Sequence, residues 1–321
     1  MGDVVHNLPV VGDILFALPG AEIDWVVEEG FAAIPRLHAH VRQVIPVALR
    51  RWRRQLFDAR TRHEIAAFSR QLRACVYDAV IDTQGLLKSA VLARLARGTR
   101  HGLDWKSSRE PLRLFYDRTY SIPWSLHAVQ RNRELAARAL GYPLPERLDY
   151  GIAAPAAIAE ALSQKMPAGF SGSRYAVLLH ATSAAIKEWP EQNWTALGRR
   201  LAQAGVSSVL PYGSEAERLR SERLADSIPG ALVPPRLDLN LLATLLSDAS
   251  VVAGVDTGLS HLAVALGRPT IGIYCATDPA ATGLYGAGSG SPGRVVNLGG
   301  VNRAPDVDAV WAAIRGAGSE I

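Results

Sequence analysis

The segment Asp248–Gly267 constrains the fold of this chain most, because it joins a strand, a tight turn and a helix. Val251–Val255 is a short, apolar and mostly β-branched run of strand length. It ends at Asp256–His261, where polar residues and a glycine precede the helix. Free N–H groups and the dipole at a helix start favour an anion. The segment therefore predicts either an anion site or a helix merely capped by Thr257 or Ser260.

Short apolar strands alternate with helices through the rest of the chain. The predicted strands are 23–27, 44–47, 77–82, 175–179, 207–211, 231–234, 251–255, 270–274 and 295–298. A stretch rich in Pro, Ala, Gly and Ser at 142–172 separates two halves. The alternation predicts an α/β protein with two doubly wound parallel sheets. A ligand is expected at the carboxyl ends of the strands.

Polar groups follow four strands of the second half, where such a ligand would bind. They are His180, Thr182, Ser183 and Lys187, then Gly213 and Glu217, then Asp256–His261, and finally Thr277 and Asp278. Hydroxyls, one ammonium and carboxylates suit a nucleotide diphosphate attached to a polyol. Gly258 would let the backbone approach a phosphate. The alternatives are that Glu217 is only a helix N-terminal charge and Lys187 an ordinary loop lysine.

Several other classes of site are excluded by what the motifs lack. There is no P-loop pattern, and Gly288–Gly293 matches G-x-G-x-x-G by letter but precedes a strand instead of opening a helix. Asp306 and Asp308 form the one D-x-D pair, which is read as a helix cap. Cys75 and Cys275 are far apart and lack metal-ligand spacing. Neither a metal nor another cofactor is expected.

Charge and hydropathy point to an anionic partner. The net charge is +5, and arginines are concentrated at 50, 51, 53 and 54. Phosphorylated lipid, a membrane surface or nucleic acid would suit this cluster, and the alternative is a solvated helix face. No apolar run reaches about 18 residues, and residues 1–35 contain no Lys or Arg. We expect a cytoplasmic protein, at most peripheral on a membrane.

Together, several motifs resemble the bacterial lipopolysaccharide heptosyltransferases, glycosyltransferase family 9. They are Met1–His6, Asp24–Phe31, Tyr77–Gly85, His180–Thr182, Lys187–Pro190, Val255–His261 and Thr277–Pro279. EEGF and HGLDWKSSREP look most like the heptosyltransferase I branch. The resemblance implies a GT-B fold, with an acceptor-binding Rossmann-like domain at 1–152 and an ADP-sugar-binding one at 153–303. A final helix at 304–321 would pack back toward the first domain.

The resemblance also implies the reaction and its location. It is inverting, metal-independent transfer of L-glycero-D-manno-heptose from ADP-heptose to Kdo2-lipid A, in lipopolysaccharide inner-core synthesis. The enzyme would be a monomer on the cytoplasmic face of the inner membrane, with no nucleic-acid partner. The alternatives are heptosyltransferase II or another member with a different acceptor, a sugar-nucleotide epimerase, or a donor-binding protein with weak activity.

Residue roles follow from the same resemblance. Asp3 matches the general base and Lys187 the lysine on the diphosphate. Donor contacts fall on Thr182, Ser183, Glu217 (ribose), Asp256 and His261 (heptose), and on the backbone of Thr257, Gly258 and Leu259 (phosphate). Acceptor contacts fall on Arg50, Arg53, Arg54 and Arg109. The chain departs from the family at Ser183, where threonine is usual, and at Cys275-Ala276, where Gly-Pro is usual.

One further departure concerns the first strand. The family has a strand ahead of the turn that Met1-Gly2-Asp3 matches, and the sequence in hand opens on that turn. Either the first sheet lacks this strand or the start codon is placed too late, and we favour the second.

Overall fold

A computed structural model describes residues 1–166, 170, 174–182, 184–286 and 295–317. The chain forms two compact units. The N-terminal unit is His6–Gly151, and the C-terminal unit combines Met1–Val5 with Ile152–Ile321. Helix α1 (Gly2–Val5) therefore belongs to the second unit. Within the described residues, no helix is long and apolar enough to cross a membrane.

The N-terminal unit contains two small parallel sheets. Its strands are β1 (Ile23–Glu28), β2 (Val41–Val47), β3 (Val76–Ile81), β4 (Arg97–Leu103) and β5 (Arg118–Tyr120). Its helices are α2 (Leu8–Ala17), α3 (Ala33–Arg36), α4 (Leu49–Trp52), α5 (Ala59–Leu72), α6 (Leu87–Leu95) and α7 (Ala128–Leu140). Strand β1 pairs with β2, and a separate sheet has the order β3-β4-β5.

The single sheet predicted for the first half is therefore divided between β1 and β3. These strands share no backbone ladder in the described structure. A side-chain hydrogen bond joins them instead, in which the Tyr77 hydroxyl donates to Asp24 Oδ2 at 2.8 Å. Desolvation and this contact raise the pKa of Tyr77 to about 12. The facing edges of the two sheets are only partly buried.

A buried ion pair joins α2 to α7. Arg133 Nε lies 2.7 Å from Asp13 Oδ2, and both side chains are 3% exposed. The same guanidinium also donates to the carbonyls of Pro145 and Arg147. Buried charges persist in proteins when they are paired and hydrogen-bonded in this way.

The C-terminal unit is built on one five-stranded parallel sheet. Its strands are β6 (Tyr175–Leu179), β7 (Ser207–Val209), β8 (Val251–Val255), β9 (Thr270–Tyr274) and β10 (Val295–Gly299). Its helices, besides α1, are α8 (Ala159–Lys165), α9 (Glu191–Gln203), α10 (Glu215–Ser227), α11 (Leu239–Ser247), α12 (Gly258–Ala265), α13 (Pro279–Thr282) and α14 (Val307–Gly316). The strand order is β10-β9-β8-β6-β7, so the chain leaves β6 to one side for β7 and returns on the other for β8. The predicted strand at 231–234 is wrong, because only Leu232 makes a bridge, to Val209.

Strands β6, β8 and β9 are buried along their whole length, and helices cover them. Trp189 and Trp194 pack edge to face, with ring centroids 5.1 Å apart. In the same core, Val310 and Ile314 of α14 are fully buried. Packing of 304–321 against the first domain stays a prediction.

Candidate active site

The site is built where the direction of winding reverses in the C-terminal sheet. Strands β6 and β8 are neighbours there, and ligands of open α/β sheets bind at the carboxyl ends of such strands. Thr182 follows β6 and Asp256 follows β8. The Thr182 hydroxyl donates to the backbone carbonyl of Asp256 at 3.0 Å, which fixes the two loops to each other.

Asp256 gathers two further groups from separate loops. Lys187 ends a short 3-10 turn, and its Nζ lies 2.7 Å from Asp256 Oδ2. Thr277 follows β9, and its hydroxyl donates to the same oxygen at 2.9 Å. The Lys187 side chain is 29% exposed and that of Asp256 is 14% exposed. The ammonium group is thus held in place while still reaching solvent, where an anion can approach it.

The start of α12 is not capped by a hydroxyl. Thr257 is extended and makes no capping hydrogen bond with its side chain. Ser260 donates its hydroxyl backward to the carbonyl of Val255 at 2.9 Å. Thr257 is thus the N-cap residue by position, but neither its hydroxyl nor that of Ser260 bonds to the helix N-terminus, which is the condition for an anion site there.

Helix α1 packs against α12. A Cβ added to Gly258 would lie 2.5 Å from Met1 Cβ, so the glycine is required for this contact. A Cβ on Gly2 would lie 3.6 Å from the ring of His261. His261 is buried, with Nε2 4.0 Å from Asp256 Oδ1, and Asp3 is exposed on α1.

These contacts put Asp3 in the same unit as Lys187 and Asp256. The sequence led us to expect it in the first domain. The difference arises because the apolar groups of Met1–Val5 pack on α12, while the chain enters the N-terminal unit only at His6.

Glu217 lies in the first turn of α10. Its Oε2 accepts from the Gly213 N–H at 2.7 Å, and its own N–H donates to Ser214 Oγ at 3.3 Å. The carboxylate thus stabilises the loop at the start of α10. Its contact with a ribose stays a prediction. Ser183, the other predicted donor contact after β6, lies outside the described residues.

His180 has no role assigned from the sequence, and the structure places it in the core, directly after β6. It is fully buried, and its Nε2 lies 2.8 Å from Ser221 Oγ. Burial, with a smaller effect of the nearby Arg220 charge, lowers the pKa of His180 to about 4. The imidazole is neutral at physiological pH and links the end of β6 to α10 through Ser221.

The sequence analysis named Thr277 without assigning it a role, and the structure shows that it contacts Asp256. Its signal was its place just after a strand, in the motif TDP.

The predicted acceptor residues all lie in the N-terminal unit. Arg50 places its guanidinium 5.8 Å from the centre of the Phe31 ring, while Arg53 and Arg54 are exposed. Arg109 lies 6.0 Å from the Trp124 ring.

No group of three or more His, Cys, Asp or Glu side chains that could hold a metal ion occurs in the described part of the chain. The side chains gathered around Asp256 are hydroxyls and an ammonium, and groups of both kinds can bind phosphate oxygens directly.

Comparisons with known proteins show which family the chain belongs to. A family model for glycosyltransferase family 9 (heptosyltransferase) matches residues 65–293. The chain is 48% identical over 289 residues to lipopolysaccharide heptosyltransferase 1 of Escherichia coli (strain K12), covering 89% of this chain and 88% of that protein.

Two solved structures of the E. coli heptosyltransferase WaaC are similar over 98% of this chain and 96% of theirs. The structure with ADP gives a TM-score of 0.86 at 45% identity. The structure with ADP-2-deoxy-2-fluoro heptose gives 0.80 at 42% identity. These likenesses confirm the predicted fold class and the resemblance.

Proposed function

Since the chain belongs to glycosyltransferase family 9, we propose that it is a heptosyltransferase I. It transfers L-glycero-D-manno-heptose from ADP-heptose to Kdo2-lipid A. The glycosyltransferase activity follows from the family. The donor is supported by the two WaaC structures, one with ADP and one with ADP-2-deoxy-2-fluoro heptose, and the acceptor by the lipopolysaccharide in the name of the E. coli relative.

The observation that carries the proposal is the Lys187–Asp256–Thr277 group at the ends of three neighbouring strands. When the bond between heptose and ADP breaks, negative charge develops on the diphosphate. A fixed ammonium beside the uncapped start of α12 stabilises that charge without needing a metal. The ammonium is held in its position by the Asp256 carboxylate, which also accepts from the Thr277 hydroxyl.

Asp3 is our candidate for the general base. Inversion at the sugar requires the acceptor hydroxyl to attack from the face opposite to the leaving diphosphate, and a carboxylate can take its proton. Asp3 is exposed on α1, and α1 packs on the helix that would hold the phosphates. The base and the leaving-group site are thus supported by contacting helices.

The arginines of the N-terminal unit would bind the acceptor. Kdo2-lipid A carries phosphates and carboxylates, which guanidinium groups bind in bidentate fashion. Arg50, Arg53, Arg54 and Arg109 supply four such groups. Because the acceptor is a lipid, we propose peripheral contact of the enzyme with the cytoplasmic face of the inner membrane, and we further propose that the enzyme is a monomer.

The test is ADP release from ADP-heptose, measured with and without Kdo2-lipid A. We expect release that depends on the acceptor and is unchanged by EDTA. Asp3→Asn should lower kcat about 100-fold or more, the usual contribution of a general base, while ADP binding stays nearly unchanged. Asp226→Asn, an exposed aspartate of α10, is the matched control.

Three outcomes would contradict parts of the proposal. Release without acceptor would indicate hydrolysis. Turnover only with an acceptor that already carries one heptose would indicate heptosyltransferase II. Full activity of Asp3→Asn would remove Asp3 as the base.

A further inference from the structure

Two large apolar side chains project from the N-terminal unit between α4 and α5. Leu56 is 52% exposed and Phe57 is 94% exposed. They lie in the middle of eight consecutive exposed residues, 53–60. An isolated exposed apolar residue is ordinary, but an adjacent pair in a long exposed stretch marks an interaction surface.

The exposed stretch is held at both ends. On one side Trp52 is buried, and its indole N–H donates to Glu64 Oε2 at 3.0 Å. On the other side Asp58 caps α5 by accepting from the Thr61 N–H at 2.9 Å. The N–H of Gln55 and that of Asp58 close turns on the carbonyls three residues earlier. The pair is therefore presented outward by a folded turn.

The charges around the pair are mostly positive, with Asp58 as the one carboxylate in the exposed stretch 53–60. Arg53, Arg54 and Arg62 are exposed, and none of them has an ion-pair partner among the residues that the structure describes. The neighbouring Arg51 and Arg60 differ, since both contact the Glu64 carboxylate. The surface thus combines two apolar side chains with three unneutralised guanidinium groups.

Such a combination matches the boundary of an anionic bilayer. Phosphate headgroups bind guanidinium groups, and the region just below them accepts aromatic and aliphatic side chains. We propose that the arginine–phenylalanine tip, defined as Arg53, Arg54, Leu56, Phe57 and Arg62, inserts into the surface of a membrane rich in anionic lipid. This rests on the proposed function only in that a lipid acceptor gives the enzyme a reason to dock there.

The test uses the full chain and sedimentation with vesicles. One set is phosphatidylcholine alone, and the other is phosphatidylcholine mixed with phosphatidylglycerol. We expect binding to the mixed vesicles that weakens as salt is raised, because salt screens exposed charges. Replacing both apolar residues, Leu56→Ser with Phe57→Ser, should lower partitioning about tenfold or more, since the buried apolar area is lost.

Leu219→Ser is the matched control. Leu219 is 46% exposed on α10 of the C-terminal unit, so its replacement should leave vesicle binding unchanged. Circular dichroism of each variant should match the unmodified protein, because the three replaced side chains are 46% to 94% exposed.

A second measurement separates docking from catalysis. With a deacylated, water-soluble acceptor, the double variant should keep full transfer activity, whereas with the lipid acceptor in vesicles its activity should fall. Unchanged vesicle binding by the double variant would refute insertion of the tip into the membrane. Equal binding to vesicles of phosphatidylcholine alone would also refute it. The tip would then be better explained as a surface that binds a groove on another protein. Absence of transfer by the unmodified chain with either acceptor would instead refute the proposed function, whatever the vesicle result.

Discussion

Replacing Asp256 with asparagine should strengthen ADP binding, although Asp256 lies in the proposed donor site. Its carboxylate oxygen Oδ2 lies 2.7 Å from the Lys187 ammonium nitrogen. An incoming diphosphate must compete with that carboxylate for the ammonium and also meets its negative charge. Asp256→Asn removes both costs while keeping the size of the side chain and an oxygen to accept from Thr277.

The distance sets the magnitude. Two unit charges 2.7 Å apart attract by about 1.5 kcal/mol at the dielectric of water and by about 6 kcal/mol at an effective dielectric of 20. The Lys187 side chain is 29% exposed, so screening keeps the recoverable part near the lower figure. A net gain of about 1 kcal/mol corresponds to ADP binding about fivefold tighter.

Titration calorimetry with ADP measures this directly. Lys187→Met should weaken ADP binding by about 10- to 100-fold, the range for losing one charge-assisted contact. Asp226→Asn should change nothing. ADP binding that is weaker in Asp256→Asn than in the unmodified protein would refute the reasoning, because Asp256 would then be needed to bind the nucleotide and not merely to hold Lys187.

Three further changes test the supports of the site and of the fold. Arg133→Met should lower the free energy of unfolding by about 3–5 kcal/mol, because its buried carboxylate partner is left unpaired, and the exposed Arg138→Met by less than about 1 kcal/mol; a denaturant titration that ranks them equally contradicts this. The lowered pKa of His180, about 4 against 6.5 for an ordinary histidine, means that the unfolded state binds more protons between these values. The free energy of unfolding should therefore fall as pH drops through that window, by up to about 1.4 kcal/mol per pH unit, and less steeply in His180→Asn. Thr277→Val removes one donor to Asp256 and should lower kcat/KM by about 5- to 30-fold, while an unchanged kcat/KM would mean that Lys187 alone holds the carboxylate.

The buried strands of the C-terminal unit were predictable because their burial leaves a plain signal. Tyr175–Leu179, Val251–Val255 and Thr270–Tyr274 are continuous apolar runs, and the structure has strands with the same bounds. A parallel sheet covered on both faces requires such runs. The run at 231–234 failed because Pro234 and the proline after it have no N–H to donate to a ladder.

Features that depend on distant contacts were not predictable in the same way. Nothing within Met1–Val5 shows that it packs on a helix that begins about 250 residues later. The division of the N-terminal sheet was likewise invisible in β1 and β3, since each has an ordinary strand pattern. A local sequence pattern indicates where a helix or strand lies. Which other helix or strand it packs against depends on contacts between segments far apart in sequence.

The start of α12 shows how a local ambiguity is resolved by packing. From sequence, a hydroxyl near Gly258 served equally well as a helix cap or as a neighbour of a bound anion. In the structure the Ser260 hydroxyl turns back to the carbonyl of Val255, and it fits there because residue 254 is glycine. A Cβ on Gly254 would lie 2.3 Å from that hydroxyl oxygen. With Ser260 bonded elsewhere and Thr257 not capping, no hydroxyl of this turn competes with a ligand for the helix N-terminus. Two glycines, one admitting Ser260 and the other admitting Met1, thus shape the turn that our proposal assigns to the diphosphate.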